Sequence, residues 1–314
     1  MKKALVTGAE GFVGPHLISE LIAEGYHVLG TSRMRQAGYI KMDIMNYEEV
    51  RSVINELKPD VIFHLAGIAY VPSSWQDPEL AFNVNAIGTL HLLDAVRSVG
   101  INPTIHIAGS SEEYGLIEAK ELPVKETNQL RPLSPYAVSK IAADFIGYQY
   151  HKGYDMNIIR TRAFNHTGAG QAETFMASSF AKQIVEIELG IREPIIEVGD
   201  LTAIRDITDV RDTVRAYRLL AEKGTPGEVY NVATGAGFTA QEILDNLLKL
   251  TTYKKKIEVK QDPKRMRPSE VKVSIGSLTK TKKACGWLPK IKIETTMESL
   301  LEHWRSALKE EKND

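Results

Sequence analysis

Near its N-terminus the chain reads ALVTGAEGFVG over residues 4–14, a short apolar run of β type that leads into three glycines at spacings of three. An amphipathic helical pattern follows directly, so the order of elements is strand, glycine turn and helix. Gly8 then allows a tight turn, Gly11 lets backbone N–H groups approach a pyrophosphate, and Gly14 allows close helix packing. The pattern predicts a dinucleotide site; the alternative is a glycine-rich turn without a ligand.

Strands and helices alternate from there to about residue 160, which predicts a doubly wound parallel sheet of the Rossmann type in an α/β fold. Gly8, Asp43, Ala66 and Ser110 all fall at the carboxyl ends of predicted strands. Ligands bind at those ends in such sheets. This coincidence favours a single ligand site along one edge of the sheet.

The second half of the chain shows no regular alternation of strands and helices and is predicted to form a smaller lobe over that edge. We therefore expect a cofactor-binding domain at 1–165, to which segments at about 195–235 return. The remaining chain, mainly 166–314, is expected to form the substrate lobe.

The second predicted strand ends at Thr31, and an NAD-selective site usually has an acidic residue at that end. The chain has Arg33 and Arg35 there instead, and both could meet a 2′-phosphate. This favours NADP(H) and leaves NAD(H) as the second choice; the two arginines could also be solvated loop residues. The residues predicted to contact the cofactor are Gly8, Gly11, Phe12, Val13, Gly14, Ser32, Arg33, Arg35, Asp43, Ile44, Leu65, Ala66, Gly67, Tyr136 and Lys140.

The segment from 105 to 140 combines a predicted strand, 104–108, that leads into a hydroxyl-rich turn at Ser110 with a predicted helix that Ser134 caps. Tyr136 and Lys140 stand four apart on one face of that helix. A lysine cation near a phenol is expected to lower the tyrosine pKa, and such a tyrosine can exchange a proton with a carbonyl or alcohol oxygen that Ser110 holds. The pattern predicts hydride chemistry at a carbonyl; the alternative is an ordinary solvated helix face.

Composition excludes several classes of function. The chain has 314 residues and a formal net charge of −1, which gives no electrostatic case for nucleic acid or an anionic membrane. Its one cysteine, Cys285, cannot form an intramolecular disulfide. No signal peptide, membrane span or metal-ligand spacing is recognisable, and His64 is interpreted as a satisfied core residue. A cytoplasmic protein without a metal is expected.

These motifs resemble, from end to end, those of the extended short-chain dehydrogenase/reductases that act on nucleotide sugars. The matching pieces are the glycine motif, the segment 64–67, Ser110, and Tyr136 with Lys140. The resemblance implies that Tyr136 is the acid/base, that Lys140 tunes it and anchors the cofactor ribose, and that Ser110 holds the carbonyl. It also implies a homodimer formed by helices near 79–99 and 134–151.

Within this family the chain is similar to the enzymes that work on GDP-mannose derivatives, which implies a GDP-sugar substrate. The segments that carry this similarity are 134–136, 164–166, 173–175, 205–206 and 267–271. It implies that Asn165, Arg205 and Arg267 hold the diphosphate and that Glu270 reaches the nucleoside.

Two activities of this branch compete. Dehydration of GDP-mannose needs a carboxylate base near C5, and Glu112 matches the glutamate of those enzymes. Reduction of the C4 ketone of GDP-4-dehydro-6-deoxy-D-mannose by NAD(P)H is a single hydride transfer that gives GDP-D-rhamnose. Glu113 stands where dehydratases usually have an apolar residue, and the chain lacks their arginine-rich loop after the second strand. We expect the reductase; the alternative is a dehydratase or another GDP-sugar epimerase or reductase.

Overall fold

The computed structural model describes residues 1–265 and 271–311. Its strands are β1 (Lys3–Thr7), β2 (His27–Ser32), β3 (Ile40–Lys41), β4 (Val61–His64), β5 (Thr104–Ser110), β6 (Ile158–Ala163), β7 (Asn165–Thr167), β8 (Ile195–Val198), β9 (Ile204–Asp209), β10 (Val229–Val232), β11 (Gly237–Thr239), β12 (Glu258–Gln261) and β13 (Val273–Ser274). Its α-helices are α1 (Val13–Ala23), α2 (Tyr47–Leu57), α3 (Val71–Gln76), α4 (Pro78–Phe82), α5 (Gly88–Val99), α6 (Pro135–Tyr154), α7 (Met176–Glu188), α8 (Val210–Lys223), α9 (Ala240–Lys249), α10 (Thr279–Cys285) and α11 (Ile293–Glu311).

The main sheet has seven strands in the order β10-β6-β5-β4-β1-β2-β3, and every neighbouring pair is parallel. The chain winds outward from β1 in both directions, so the switch point lies between β1 and β4. Both faces of this sheet are covered, so β4 and β6 are buried along their whole length, including His64, Arg160 and Arg162. The prediction of a doubly wound parallel α/β sheet is confirmed.

Each face of the main sheet has its own apolar core. On one face Leu17 and Leu21 of α1 pack with Tyr217 of α8, and all three are buried. On the other face Ile54 of α2 packs with Leu92 of α5. Burying a side chain of this size contributes about 1.5–3 kcal/mol relative to exposure. The two cores hold in place the strand ends on which the site is built.

The second half of the chain forms two smaller sheets. β9 lies between β11 and β13 and also pairs with β7, while β8 pairs with β12. Helices α7, α9 and α11 close a third apolar core there, which includes Phe180, Leu244 and Leu300. Of the stretch 195–235, only α8 and β10 belong to the main sheet and its helical layers. The domain boundaries themselves remain predictions.

Two details near the site differ from expectation. The third strand ends at Lys41, so Asp43 and Ile44 follow it in a turn where Asp43 Oδ1 accepts a hydrogen bond from Met45 N at 2.9 Å. The α-helix expected over 79–99 is interrupted by a π-helical segment, Asn83–Ile87. There Asn85 contacts Ile68 through its side chain, with Oδ1 2.8 Å from the backbone N. No helix in the described ranges is long and apolar enough to cross a membrane.

Candidate active site

Ser110 is the last residue of β5, and a short 3₁₀ turn, Ser111–Glu113, follows it. The Ser110 hydroxyl accepts a hydrogen bond from Glu112 N at 3.2 Å, and its backbone N donates to Glu113 Oε1 at 2.8 Å. This reciprocal pattern is a capping box. It holds the serine at the carboxyl end of the sheet with its hydroxyl next to Tyr136.

Tyr136 is the second residue of α6, whose first turn is fixed by two polar contacts. Ser134 caps the helix by accepting a hydrogen bond from Ala137 N at 3.1 Å, as predicted. The backbone N of Tyr136 donates to Ser74 Oγ at 3.1 Å. The phenol is buried and hydrogen-bonded to the Ser110 side chain. The structure therefore brings Ser110 and Tyr136 together.

The predicted lowering of the Tyr136 pKa by Lys140 is wrong. Burial raises the pKa of Tyr136 well above its usual range, which outweighs the lowering by the Ser110 hydrogen bond, and Glu112 and Glu113 raise the pKa further. Taking a phenolate out of water is costly, and a negative neighbour adds to that cost. The phenol is therefore protonated at neutral pH, which is the state required of a proton donor.

Lys140 lies one helical turn after Tyr136, and its Nζ donates a hydrogen bond to the carbonyl oxygen of Ala108 at 2.8 Å. Burial lowers the pKa of Lys140 to about 8, although Glu113 opposes this by favouring the cation. A Cβ on Gly67 would lie 3.7 Å from Lys140 Nζ, so the small-residue turn after β4 borders the lysine. Lys140 thus lies between Tyr136 and the small-residue turn after β4, which is predicted to contact the cofactor.

The glycine turn after β1 meets the turn after β4. Gly8 has a φ of +65°, and a Cβ there would lie 2.7 Å from the Cα of Ala66. A Cβ on Gly14 would overlap the carbonyl group of Ala9, so α1 packs closely against the glycine turn. The N-cap of α1 is Phe12, which makes no side-chain capping hydrogen bond, so no N-cap side chain would compete with a pyrophosphate at this helix N-terminus.

The arginines predicted to meet a 2′-phosphate follow β2 and lie beside the glycine turn. Arg33 and Arg35 are both exposed, and neither forms an ion pair with a carboxylate in the described part of the chain. The backbone N of Arg33 donates to Glu10 Oε1 at 3.3 Å. Ser32 is buried beside them. The two guanidinium groups have the exposure that binding a phosphate requires.

The other predicted cofactor residues differ in what their side chains contact. Asp43 is half-buried beyond β3, and Leu65 is half-buried after β4. Ile44 is buried, and a Cβ on Gly88 would lie 2.9 Å from its Cγ2, so its side chain belongs to the core. Val13 begins α1. The cofactor contacts of these residues remain predictions.

A small cleft lies beside the Ser110 turn and is lined by Asn165 and Arg205, predicted for the diphosphate, and by Glu112, the base that a dehydration would need. Arg205 also donates from its guanidinium to the carbonyl oxygen of Ile204 at 3.0 Å. Arg267 and Glu270, predicted for the diphosphate and the nucleoside, lie outside the described residues. The cleft therefore brings a carboxylate, an amide and a guanidinium group together next to the turn that carries Ser110.

Sequence reasoning missed several residues that line this cleft, namely Ser111, Gly115, Ile117, Val271 and Ser274. Ser274 lies in β13, which pairs with β9 so that Ser274 is opposite Arg205. That register could not be predicted because β13 has only two residues. Ser111 could have been suspected from its place beside Ser110 in a hydroxyl-rich turn.

Comparisons with known proteins agree with this geometry. Residues 5–300 match the sequence profile of the GDP-mannose 4,6 dehydratase family. The chain is 34% identical over 312 residues to GDP-6-deoxy-D-mannose reductase of Pseudomonas aeruginosa, covering 99% of both chains. It is 30% identical over 361 residues to GDP-mannose 4,6-dehydratase of Vibrio cholerae, covering 98% of this chain and 96% of the other.

Solved structures show the same architecture. The structure of RMD from Pseudomonas aeruginosa complexed with NADPH superposes with a TM-score of 0.90 at 33% identity, over 98% of this chain and 100% of that one. UDP-glucose 4-epimerase of Thermus thermophilus, in complex with NAD, superposes with a TM-score of 0.86 at 29% identity, over 97% and 99%. Both relatives hold a nicotinamide dinucleotide on a fold that this chain shares.

Proposed function

The chain belongs to the GDP-mannose 4,6-dehydratase family, and from that premise we propose that it reduces the C4 ketone of GDP-4-dehydro-6-deoxy-D-mannose to GDP-D-rhamnose with NADPH. One observation carries the proposal: Ser110 and a protonated Tyr136 form a hydrogen-bonded pair beside a polar cleft. Reduction of a ketone needs a proton donor at the oxygen, and a phenol with a raised pKa is that donor.

The fit of the cofactor is supported by the glycine turn, where Gly8 and Gly14 let the backbone of Ala66 and Ala9 approach closely at the start of α1, a helix N-terminus that can bind a pyrophosphate. Arg33 and Arg35 would hold a 2′-phosphate, and Lys140 would hold the ribose of the nicotinamide half. When bound, the nicotinamide supplies the hydride. The Pseudomonas RMD structure, which is a complex with NADPH, supports this cofactor.

The chain's own residues supply position and a proton. Asn165 and Arg205 would hold the diphosphate, so that binding energy orients the sugar ring toward Tyr136. The Ser110 hydroxyl would donate a hydrogen bond to the C4 oxygen as negative charge develops there. Tyr136 would then transfer its phenolic proton to that oxygen, and the Lys140 cation would stabilise the phenolate that remains.

A second candidate function rests on Glu112. This carboxylate lines the cleft, its charge raises the pKa of Tyr136, and the resemblance gives it the role of the base at C5 in a dehydration. The match to GDP-mannose 4,6-dehydratases is strong enough to keep that activity as the alternative. The higher identity to the Pseudomonas reductase favours reduction.

The deciding experiment offers two sugars separately. Given GDP-4-dehydro-6-deoxy-D-mannose and NADPH, the protein should consume NADPH and form GDP-D-rhamnose. Absorbance measures the loss of NADPH, and NMR identifies the product. Given GDP-mannose alone, it should leave the sugar intact, since a reductase cannot use it. Conversion of GDP-mannose to a 4-keto sugar would instead establish the dehydratase.

We also propose that the protein is a homodimer, as the resemblance implies. The outer face of α6 exposes Val138, Phe145 and Tyr148, which are 47%, 52% and 41% exposed. α4 packs beside α6 and exposes Leu80 and Phe82. Apolar side chains that adjoin in this way on a surface often mark an interface. Phe145→Glu should give a monomer by light scattering; a wild-type protein that is monomeric at micromolar concentration would contradict the proposal.

A further inference from the structure

Glu113 is a fully buried carboxylate that has no place in the mechanism above. Its Oε1 accepts the hydrogen bond from the backbone N of Ser110 at 2.8 Å, and its Oε2 accepts from Arg162 Nε at 2.7 Å. A Cβ on Gly109 would lie 2.5 Å from Oε1, so the strand has no side chain where the carboxylate fits. A charge in such a place is costly unless it is paired and hydrogen-bonded, as it is here. Burial raises the pKa of Glu113 to about 7 and Arg162 opposes this, so the carboxylate is ionised above neutral pH.

The carboxylate is one end of a buried chain of charges. Arg162 donates from its other side to Asp144 Oδ2 at 2.6 Å, and Asp144 Oδ1 accepts from Arg160 at 2.7 Å. These residues lie on β6 and α6, so the chain joins the Ser110 turn to the strand and the helix that flank it. Only Glu113 among them contacts Ser110 directly.

We propose that Glu113 is a positioning residue for the reduction proposed above. Its carboxylate holds the Ser110 N–H, and thereby the Ser110 hydroxyl, in register with Tyr136, and its negative charge keeps Lys140 cationic. The inference rests on the proposed function for its role in turnover. Its effect on Lys140 can be measured without turnover.

The charges around Glu113 determine the sign of the expected effect. From α6 it faces Tyr136, Lys140 and Asp144; from β6 it faces Arg162, with Arg160 behind. Glu112 lies on its own turn, and His106 on β5 is buried and neutral, since burial lowers its pKa to about 3. The charge of Glu113 raises the pKa of both Tyr136 and Lys140. Removing it should therefore lower both.

The test is the Glu113→Gln variant, which keeps the size of the side chain and removes its charge. We expect kcat to fall about tenfold or more while the KM for the GDP-sugar changes little, since the substrate cleft is untouched. The alkaline limb of the kcat profile should move to lower pH, because Tyr136 and Lys140 both lose their protons earlier. A purely structural role would lower stability without moving that limb.

Glu113→Asp separates position from charge. The shorter side chain keeps the negative charge but cannot reach both Ser110 N and Arg162 Nε, so kcat should fall while the alkaline limb stays near that of the wild type. Glu126→Gln is the matched control. That carboxylate accepts from Asn231 N at 2.8 Å and does not contact Ser110, so its loss should leave the pH profile unchanged.

A binding titration keeps the test independent of the proposed function. The affinity for NADPH is followed by its fluorescence while the pH is raised. It should begin to weaken at a lower pH in Glu113→Gln than in the wild type, because Lys140 loses its charge at a lower pH in the variant. If the wild type reduces no GDP-4-keto sugar, the proposed function fails and this titration still decides the role of Glu113. Unchanged kcat and unchanged pH dependence of NADPH binding in Glu113→Gln would overturn the inference.

Discussion

Lys140 and Ala108 are joined by a hydrogen bond of 2.8 Å from the lysine Nζ to the alanine carbonyl oxygen. The bond fixes α6 against β5 two residues before Ser110. It also accounts for one of the three donors of a buried ammonium group, which leaves two for a ligand. The relative position of Tyr136 and Ser110 therefore depends on a residue that contacts both of their elements.

Tyr136→Phe should remove most turnover while leaving GDP-sugar binding nearly intact. In the proposed reduction the phenol supplies the proton to the C4 oxygen, and loss of such a donor typically costs about a hundredfold or more in kcat. Turnover with NADPH and calorimetric binding of GDP measure the two effects. Tyr154→Phe, an exposed tyrosine at the end of the same helix, is the control. Near-normal turnover in Tyr136→Phe would refute the acid role.

Lys140 should make stability depend on pH in a defined window. Its pKa is about 8 in the folded chain, against 10.5 for an unperturbed lysine, so between those values the unfolded chain binds a proton that the folded chain lacks. Stability from this residue therefore rises with pH across the window, by at most about 3 kcal/mol. Urea unfolding measures the free energy of unfolding of the wild type and of Lys140→Met at pH 7 and pH 10. From pH 7 to pH 10 the wild type should gain stability relative to the variant. A difference that does not change with pH would contradict the shifted pKa.

Replacing both Arg33 and Arg35 by alanine should reduce the preference for NADPH. Two exposed cations would no longer meet the 2′-phosphate, so the KM for NADPH should rise about tenfold or more while the KM for NADH stays unchanged. Arg51→Ala removes another exposed arginine, on α2, and controls for the general loss of positive charge. Equal changes for NADPH and NADH would show that the arginines do not read the phosphate.

Gly109→Ala should destabilise the protein without touching the substrate. The new methyl group would overlap the carbonyl oxygen of Thr161 and lie 2.5 Å from the Glu113 carboxylate, and relieving both contacts typically costs about 1–3 kcal/mol. Chemical unfolding measures the loss. Gly153→Ala is the control, since its Cβ would meet only the flexible end of Gln149 at 3.0 Å and alanine favours a helix. Equal stability of Gly109→Ala and the wild type would contradict the packing described around Glu113.

Local pattern was enough to predict the main sheet and the placement of its motifs. The main sheet and its helical layers contain elements such as α2 and β4, which are strongly periodic or apolar runs with clear flanking signals in the sequence. His64 was interpreted as a satisfied core residue, and its ring contacts Thr7 Oγ1 at 2.8 Å and Thr89 Oγ1 at 3.0 Å, which confirms that interpretation.

What the sequence could not provide depends on long-range burial. Glu113, Asp144 and Arg162 are far apart in the chain, and no spacing signals that they form one buried cluster. The Tyr136 pKa was predicted in the wrong direction because a helical spacing shows a neighbouring cation but not the loss of solvent around the phenol. Ser274 lines the cleft from β13, a strand of only two residues. A strand this short shows no periodicity in the sequence, so its place could not be predicted.

The edge strand β10 has a consequence for the chain as it is synthesised. The partner of β6 on this side is β10, which begins at Val229, after the lobe segment. β6 must therefore present an open backbone edge until the lobe segment and β10 have left the ribosome. An unpaired parallel edge is a template for association with other chains. Truncation before Val229 should therefore yield an aggregating fragment rather than an independent nucleotide-binding unit, which makes the two halves of this molecule mutually dependent for biogenesis.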